Sequence, residues 1–302
     1  MNEIVPVERL NRPHISFSEW QNFRSNCQNR WFLDYVEGMR LNDESIDLKF
    51  GTCIHKACEG IFHPVLEERP SLEQAIELFT AHFNTECEDL MTKGAMNYGP
   101  WHQKLHAGKH PLEMVEAGKR ILEDLTKVPE LQGATVIKIE YQVDDEFQRT
   151  DYPLRFKGFI DIIFTVKNKN NQTVLYICDF KTCKWGWSKD KKEDPNVTGQ
   201  LLLYKHFVCK KLDVNPKMVR ACFILLKKTP RPNDTTVELV QVNSSENQIR
   251  SIVAALQTDV TRMRLGAREK NRDNCVKPWG CCPHYDTPAC PGKVAQVEKK
   301  LR

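Results

Sequence analysis

The spacing of apolar residues changes near residue 131, and this change constrains the fold more than any other feature of the chain. Before it, apolar residues recur at helical spacing. After it come three β-rich stretches, ATVIKIEYQV, LRFKGFIDIIFTV and TVLYICDFKT, separated by turn residues. A helix near 196–211, two further strands (MVRACFILLKK and TTVELVQV) and a long final helix follow. This order predicts an α/β fold with α+β character, in which a central mixed β-sheet is flanked by helices.

The part before residue 131 is predicted to be helical. The segment SFSEWQNFRSNCQNRWFLDYV predicts one helix over 16–36, with Cys27 on its apolar face. The segment KFGTCIHKACEGIF opens a second helix, with His55 near its start. A third helix begins at a Ser-x-x-Gln capping box. A polar loop at 94–110 then leads to a fourth helix near 111–127.

The bulk composition predicts a folded protein of the cell interior. Of the 302 residues, 28% are charged and 40% hydrophobic, which is enough for an ample core. No apolar run approaches the roughly 20 residues that span a bilayer, and the N-terminal MNEIVPVERL has no signal-peptide core. We therefore expect an intracellular, cytoplasmic protein without a membrane partner. The net charge of +4 is compatible with nucleic-acid binding without requiring it.

Two charged residues interrupt the third β-rich stretch, at Asp179 and Lys181. Because side chains alternate along a strand, these two point to one face and Phe180 points to the other. The preceding strand carries Asp161 inside an apolar run, where a carboxylate costs free energy unless it is paired or binds a metal. If the two strands are neighbours, the carboxylates converge into a site for a hard divalent cation such as Mg²⁺.

Two further pairs could complete such a site. Gly51 and His55 place an imidazole close to a helix start, although a histidine there is more often a cap or a surface group. Gln200 and Tyr204 are four residues apart on a predicted helix and share a face, an arrangement that ordinary packing also explains.

The ordered set G-x-x-x-H, G-x-x-D, D-x-K and Q-x-x-x-Y resembles the PD-(D/E)XK nuclease superfamily in its RecB-like branch, over roughly 14–290. The resemblance implies a restriction-endonuclease-like core with an N-terminal helical region and a cysteine-rich C-terminal tail. It also implies a role for each residue of these motifs. The metal ligands would be His55, Asp161, Asp179 and the Phe180 carbonyl. Lys181 would be the catalytic lysine, and Gln200 and Tyr204 would contact DNA or brace the site. Glu140 matches an acidic position of many members, and an exposed strand glutamate is the alternative.

The same resemblance implies an activity. The expected protein is a Mg²⁺- or Mn²⁺-dependent DNA exonuclease that acts at ends, preferably of single strands, in recombination, repair, phage or CRISPR-related processing. A phage-encoded protein would act in the host cytoplasm. A helicase or recombination protein would be its partner. The alternative is a non-catalytic DNA-binding subunit on the same fold.

Twelve cysteines are many for a reducing compartment, and four of them lie in the tail CVKPWGCCPHYDTPAC. Cys275, Cys281, Cys282 and Cys290 could hold zinc, but two of them are adjacent and suit one ion poorly. Resemblance to RecB-like nucleases implies instead a 4Fe-4S cluster that ties the chain ends together. Its ligands would be Cys27, Cys275, Cys282 and Cys290, with Cys281 as the rival of Cys282 and zinc as the alternative metal. The other cysteines are expected to be buried and free.

A basic aromatic segment, KTCKWGWSKDKK, follows the catalytic strand. Trp185 and Trp187 could stack DNA bases, or the two rings could simply pack over the site.

The expected organisation is one nuclease domain over 1–302. It would consist of an N-terminal helix with the cluster cysteine (14–50), a helical region (51–130), the catalytic core (131–265) and the cluster tail (270–292).

Overall fold

A six-stranded mixed sheet with helices on both faces forms the centre of the molecule, in a computed structural model. The structure describes residues 14–40, 45–92, 111–146, 155–277 and 280–293, so the predicted loop at 94–110 lies outside the described residues. The fold class predicted from the sequence is confirmed. No helix in the described ranges is both long and apolar enough to cross a bilayer.

The sheet is built around its third strand. Strand β3 is flanked by β2 on one edge and by β1 and β4 on the other, and β5 and β6 continue beyond β4. The pairs β1–β3 and β4–β5 are parallel and the others are antiparallel. The strands are β1 (His14–Ile15), β2 (Thr135–Glu146), β3 (Arg155–Lys167), β4 (Thr173–Cys183), β5 (Val219–Lys227) and β6 (Val237–Gln241). A separate small ribbon pairs β7 (Val276–Lys277) with β8 (Gly280–Cys281).

Helices cover both faces. The N-terminal segment consists of α1 (Phe17–Gln21), a π-helical turn (Asn22–Asn26), α2 (Gln28–Trp31) and a second π-helical turn (Phe32–Val36). The other helices are α3 (Ile46–Ile61), α4 (Leu72–Thr92), α5 (Pro111–Leu125), α6 (Lys189–Glu193), α7 (Pro195–Leu212) and α8 (Glu246–Arg264). Short 3₁₀ turns occur at Leu66–Glu68, Pro216–Met218 and Arg272–Cys275.

The alternation of strand side chains divides the core into two layers. In β5, Ala221, Phe223 and Leu225 face the layer that contains α1, α7 and α8. Cys222 and Ile224, on the opposite face, pack with α3, α4 and α5. A strand buried on both faces reads as a continuous apolar run, which is what the sequence shows here.

The N-terminal segment differs from the single helix predicted for it. Its backbone breaks at Cys27, which is extended at φ −161° and ψ 123°. The Cys27 sulfur accepts a hydrogen bond from the Asn271 amide at 3.3 Å, and its thiol faces the Glu269 carbonyl at 3.7 Å. Contacts with the distant tail therefore accompany the break, and Cys27 leaves the apolar face on which Trp20 and Trp31 are buried.

Helix α3 begins earlier than predicted, and His55 lies in its interior rather than near its start. The helix starts at Ile46, because the Ser45 side chain accepts a hydrogen bond from the Leu48 amide and caps it. The predicted capping box before α4 is present, with reciprocal hydrogen bonds between Ser71 and Gln74.

Candidate active site

The candidate active site lies where strands β3 and β4 separate. Their ladder ends at the pair Ile162 and Cys178, and Asp161 and Asp179 are the next residues on each strand. Beyond that point an Asp161 carboxylate oxygen accepts the Phe180 amide hydrogen at 2.6 Å. Both carboxylates are buried, with 8% and 3% exposure. The predicted convergence of the two strands is therefore observed.

The side-chain alternation of β3 shifts at Asp161. Phe156 and Ile160 face the α7 layer, whereas Ile162 and Phe164 face the α3 layer. The irregularity releases Asp161 from the regular ladder and lets its carboxylate bond to the backbone of β4.

Lys181 and Asp179 share one face of β4, as the strand period predicts. The Lys181 ammonium lies 2.5 Å from an Asp179 oxygen, while Phe180 is fully buried in the opposite layer. Burial raises the pKa of Asp179, and the charge of Lys181 acts against that shift.

Helix α7 braces this pair through Gln200 and Tyr204. The Gln200 amide nitrogen donates to Asp179 at 2.9 Å and to the Tyr204 hydroxyl at 3.0 Å. Tyr204 is almost fully buried, so its ring cannot move aside easily. The predicted Q-x-x-x-Y pair thus fixes the orientation of one acidic side chain of the site.

Gly158 allows the Tyr204 ring to approach strand β3. A β-carbon at Gly158 would lie 2.5 Å from a ring carbon of Tyr204 and 2.9 Å from its hydroxyl. The G-x-x-D spacing therefore has a steric basis: the glycine makes room for the tyrosine, and the aspartate follows at the point where the strands separate.

Replacing Gly158 with alanine is expected to destabilise the fold by about 1–3 kcal/mol, because the new methyl group overlaps the buried Tyr204 ring. Gly51→Ala is the matched control. A β-carbon there would make ordinary contact with Thr182 at 3.5 Å. Alanine is also the better helix former, so the control should be neutral or stabilising. Urea unfolding of both variants is the measurement, and equal stability of the two would contradict the steric role of Gly158.

Helix α3 contributes two side chains to the site. The His55 Nδ1 atom lies 3.7 Å from an Asp161 oxygen. Burial lowers the pKa of His55 to about 4, with a further contribution from Lys181, so the imidazole is neutral near pH 7 and able to bind a metal. Glu59, one helical turn later, is a site residue that the sequence interpretation missed. Its position four residues after His55 on the same helix places both side chains on one face, and this spacing could have identified it.

Glu59, Glu140 and Asp161 form a carboxylate group in which the ligand oxygens all lie within 4.8 Å of one another. Burial raises the pKa of Glu59 to about 7, and the charge of Glu140 and a hydrogen bond with it add to the shift. Glu140 adopts a left-handed backbone conformation at φ 46°. Such a conformation costs free energy for a residue other than glycine.

The charge balance of the site favours a bound cation. Burial raises the pKa of Asp161, and the neighbouring Asp179 raises it further. Carboxylates that repel one another in a buried site are stabilised when a divalent cation lies between them. Carboxylate oxygens with one neutral imidazole match the ligand preference of Mg²⁺ and Mn²⁺. The residues present therefore fit such an ion.

A model of the PD-(D/E)XK nuclease superfamily matches residues 14–290. The chain belongs to this superfamily. It is thus a hydrolytic nuclease by family, and its Asp161, Asp179 and Lys181 lie together at the fork between β3 and β4.

Two solved structures align with this nuclease at low sequence identity. A candidate exonuclease from Eubacterium rectale aligns with a TM-score of 0.55 and 12% identity, over 97% of this chain and 94% of that chain. At that identity the likeness shows the fold alone. The structure of SSO0001 aligns with a TM-score of 0.30 and 10% identity over 71% of this chain and 84% of that one, which carries no argument. No curated protein matches the sequence.

An open cleft of about 660 Å³ leads to the acidic site of the nuclease. The predicted tryptophans differ in their relation to it. Trp185 is 51% exposed, with the Lys184 ammonium 4.7 Å from its ring centre. Trp187 lines the cleft but packs edge-to-face against Phe223 at 5.0 Å. Of the two alternatives, packing therefore applies to the ring of Trp187. The ring of Trp185 has an exposed surface that a base could contact.

The four cysteines implied as cluster ligands line one small cavity of about 30 Å³. It lies between the break at Cys27 and the tail, and Cys275, Cys282 and Cys290 complete the thiol set. Cys281 is not among the described residues that line it. Burial raises the pKa of both Cys275 and Cys282.

The chain ends of the nuclease are also joined without any metal. Buried His284 in the tail bonds to Asp34 at 2.7 Å. The Asn274 side chain donates to the carbonyls of Ser25 and Asn26 at 3.1 and 2.7 Å. The cysteine cavity is therefore held between two segments that hydrogen bonds already connect.

Proposed function

We propose that this chain is a Mg²⁺- or Mn²⁺-dependent exonuclease that hydrolyses phosphodiester bonds from the ends of single-stranded DNA. The observation that carries the proposal is the convergence of Asp161, Asp179 and Lys181 at the fork between β3 and β4. Two buried carboxylates and one lysine at the end of an open cleft are suited to metal-assisted phosphodiester hydrolysis.

The proposed ligands of the metal are His55, Asp161, Asp179 and the Phe180 carbonyl, with Glu59 and Glu140 as further acidic groups. A bound divalent cation would supply Lewis acidity and lower the pKa of a water molecule. The side chains do the positioning: Gln200 fixes Asp179, and the Phe180 amide fixes Asp161. Burial in the cleft wall holds both carboxylates where the phosphate would enter.

Lys181 is the proposed catalytic lysine. Its ammonium would leave its present contact with Asp179 and face the negative charge that builds up on the phosphate. The ammonium also lies 6.0 Å from the ring centre of Phe223.

The proposed DNA path follows the cleft. Lys157 lines the cleft wall, whereas Trp185 is not among the described lining residues and would offer its exposed ring to a base outside the cleft. The Trp187 indole nitrogen is buried without a hydrogen-bond partner among the described residues, and the ring lines the same cleft. A nitrogen without exposed surface cannot reach a substrate in the cleft, so Trp187 contributes to the cleft wall through the packing of its ring against Phe223.

Action at single-stranded ends rests on the resemblance to end-processing RecB-like nucleases. The fold-level likeness to the candidate exonuclease from Eubacterium rectale is consistent with it. A helicase or recombination protein that exposes single strands would be the natural partner in DNA processing.

Circular single-stranded DNA is expected to be spared under conditions that degrade a linear strand of the same sequence. The reason is that an exonuclease must begin at an end. The measurement is digestion of end-labelled linear DNA and matched circles with Mg²⁺ or Mn²⁺, with EDTA as the metal-free control. Linearising the circle at one site should restore digestion. Rapid nicking of closed circles would indicate an endonuclease instead.

A non-catalytic DNA-binding subunit is the second candidate. The intact set of Asp161, Asp179 and Lys181, with its bracing by Gln200, argues against it, since binding alone does not need buried carboxylates. Metal-dependent digestion above the EDTA control would exclude this alternative.

We also propose that Cys27, Cys275, Cys282 and Cys290 hold a 4Fe-4S cluster. The shared cavity and its four thiols support this ligand set, and they favour Cys282 over Cys281. In the described part of the chain, only the carboxylate group has three or more ligand atoms within 4.8 Å of one another. Sulfurs around one zinc ion would be about 3.8 Å apart, so the wider spread of the thiols favours a polynuclear cluster.

A further inference from the structure

A second cleft, of about 690 Å³, lies on another flank of α7 from the active site. Lys205 lines it and directly follows Tyr204 of the active site, so a rotation of about 100° along the helix separates the two side chains. The other walls are the Pro216–Met218 turn, the first residues of β5 and the first turn of α8. The metal-binding carboxylates do not line this cleft.

Lys205 is a buried cation that has no anionic partner in the part of the chain that the structure describes. Lys205 is only 4% exposed. Its ammonium donates to the Ser244 hydroxyl at 2.9 Å and faces the Ser244 carbonyl at 3.5 Å. An ammonium has three donors, and both of these acceptors are neutral. No carboxylate lies within 4.0 Å of it among the described residues. Burial lowers the pKa of Lys205, Cys209 acts against that shift, and the charge of Arg220 adds to it.

Two more cations of the cleft lack a carboxylate partner in the described part of the chain. These are Lys217 and Arg220, and the Arg220 guanidinium donates only to the Lys217 carbonyl at 3.1 Å. The one carboxylate of the lining, Glu246, pairs with Arg250 at 3.1 Å. Other lysines nearby are neutralised, as Lys210 is by Asp145 at 3.1 Å. The positive charge of this cleft is therefore not balanced by the protein.

The remaining polar groups of the cleft also suit an anion. The first turn of α8 also lines the cleft, but Ser245 and Gln248 already cap it and Glu246 already supplies a negative charge there, so the groups that suit an anion are the side chains of the other walls. Ser244 contributes a hydroxyl beside the Lys205 ammonium. A tetrahedral oxyanion with several acceptor oxygens can use ammonium, guanidinium and hydroxyl donors together.

We propose that this cleft binds a phosphate group, with the Lys205 ammonium as the central donor and Arg220 and Lys217 at its entrance. The phosphate belongs either to a free nucleotide or to a DNA strand. The proposal does not depend on the nuclease function, because no residue of the acidic site takes part in it.

The test is a titration of the 302-residue chain with inorganic phosphate, followed by thermal unfolding and by calorimetry, with sodium chloride of equal ionic strength as the control. Saturable stabilisation of the wild type by phosphate is expected. Lys205→Met should weaken phosphate binding by about tenfold or more, since it removes a charged donor and keeps the apolar volume. The matched control Lys210→Met, on the same helix, should bind as the wild type does.

If Lys205→Met does not fold, the double variant Lys217→Gln with Arg220→Gln is used instead. It removes the other two positive charges of the cleft and should also weaken phosphate binding. Titration with a deoxynucleoside monophosphate and with an oligonucleotide distinguishes the two sources, since only the true source should bind more tightly than inorganic phosphate. An effect of phosphate no larger than that of sodium chloride would overturn the proposal. Equal phosphate affinities of the Lys205→Met and Lys210→Met proteins would overturn it as well.

Discussion

Asp179→Asn and Lys181→Met are each expected to lower nuclease activity by roughly a hundredfold to a thousandfold while the protein stays folded. Asp179 is proposed to bind the metal, and Lys181 is proposed to face the phosphate. Neither change empties the core, because asparagine keeps the shape of aspartate and can still bond to Gln200. The measurement is the digestion rate of end-labelled DNA over a titration of Mg²⁺ and Mn²⁺.

The stability of the Asp179→Asn protein separates chemistry from folding. Asp161 and Asp179 repel each other in the metal-free protein. Removing one of the two charges should therefore leave the metal-free stability unchanged or raise it. The control is Lys167→Met, at the far end of β3, where lysine bonds only to Thr173 at 2.8 Å among the described residues. Digestion rates of all three variants equal to that of the wild type would refute the assignment of the site.

Cys27→Ser is expected to abolish the brown colour of anaerobically purified protein and to lower its stability. A cluster shared by Cys27 and the tail would close a loop of about 250 residues, and the chain-entropy estimate for such a cross-link is about 5 kcal/mol. This figure is an upper estimate, because residual structure already restricts the unfolded chain and because it applies only while the cluster stays bound on unfolding. Visible absorbance, iron content and urea unfolding are the measurements.

The adjacent tail cysteines provide the control for this experiment. Cys282→Ser should behave like Cys27→Ser, because Cys282 lines the thiol cavity, whereas Cys281→Ser should retain the colour. A colourless protein with one equivalent of zinc that Cys27→Ser leaves unchanged would contradict the cluster. That result would leave the nuclease assignment intact, since the acidic site lies elsewhere.

The relative placement of the acidic residues and Lys181 follows from the sequence because local rules determine it. Strand alternation places Asp179 and Lys181 on one face, and the cost of burying a carboxylate identifies Asp161. Helical spacing also pairs Gln200 with Tyr204, and the two side chains are bonded in the structure. Glu59 obeys the same helical rule relative to His55 and could have been identified from it.

Other features depend on contacts between distant residues, which no local pattern contains. The break at Cys27 coincides with its bond from Asn271, 244 positions along the chain. The left-handed backbone of Glu140 is visible only in the structure. The two tryptophans have the same local sequence pattern, and only the position of Phe223 shows that Trp187 is a packing residue.

The broken N-terminal segment contacts both the wall of the open cleft and the cysteine-rich tail. Gln21 and Ser25 bond to Asn196 at the beginning of α7, in the wall of that cleft, at 2.5 and 2.6 Å. Two residues after Ser25, Cys27 enters the thiol cavity. The contact of this segment with the cleft wall at Ser25 and its contact with the tail at Cys27 are therefore only two residues apart along the chain.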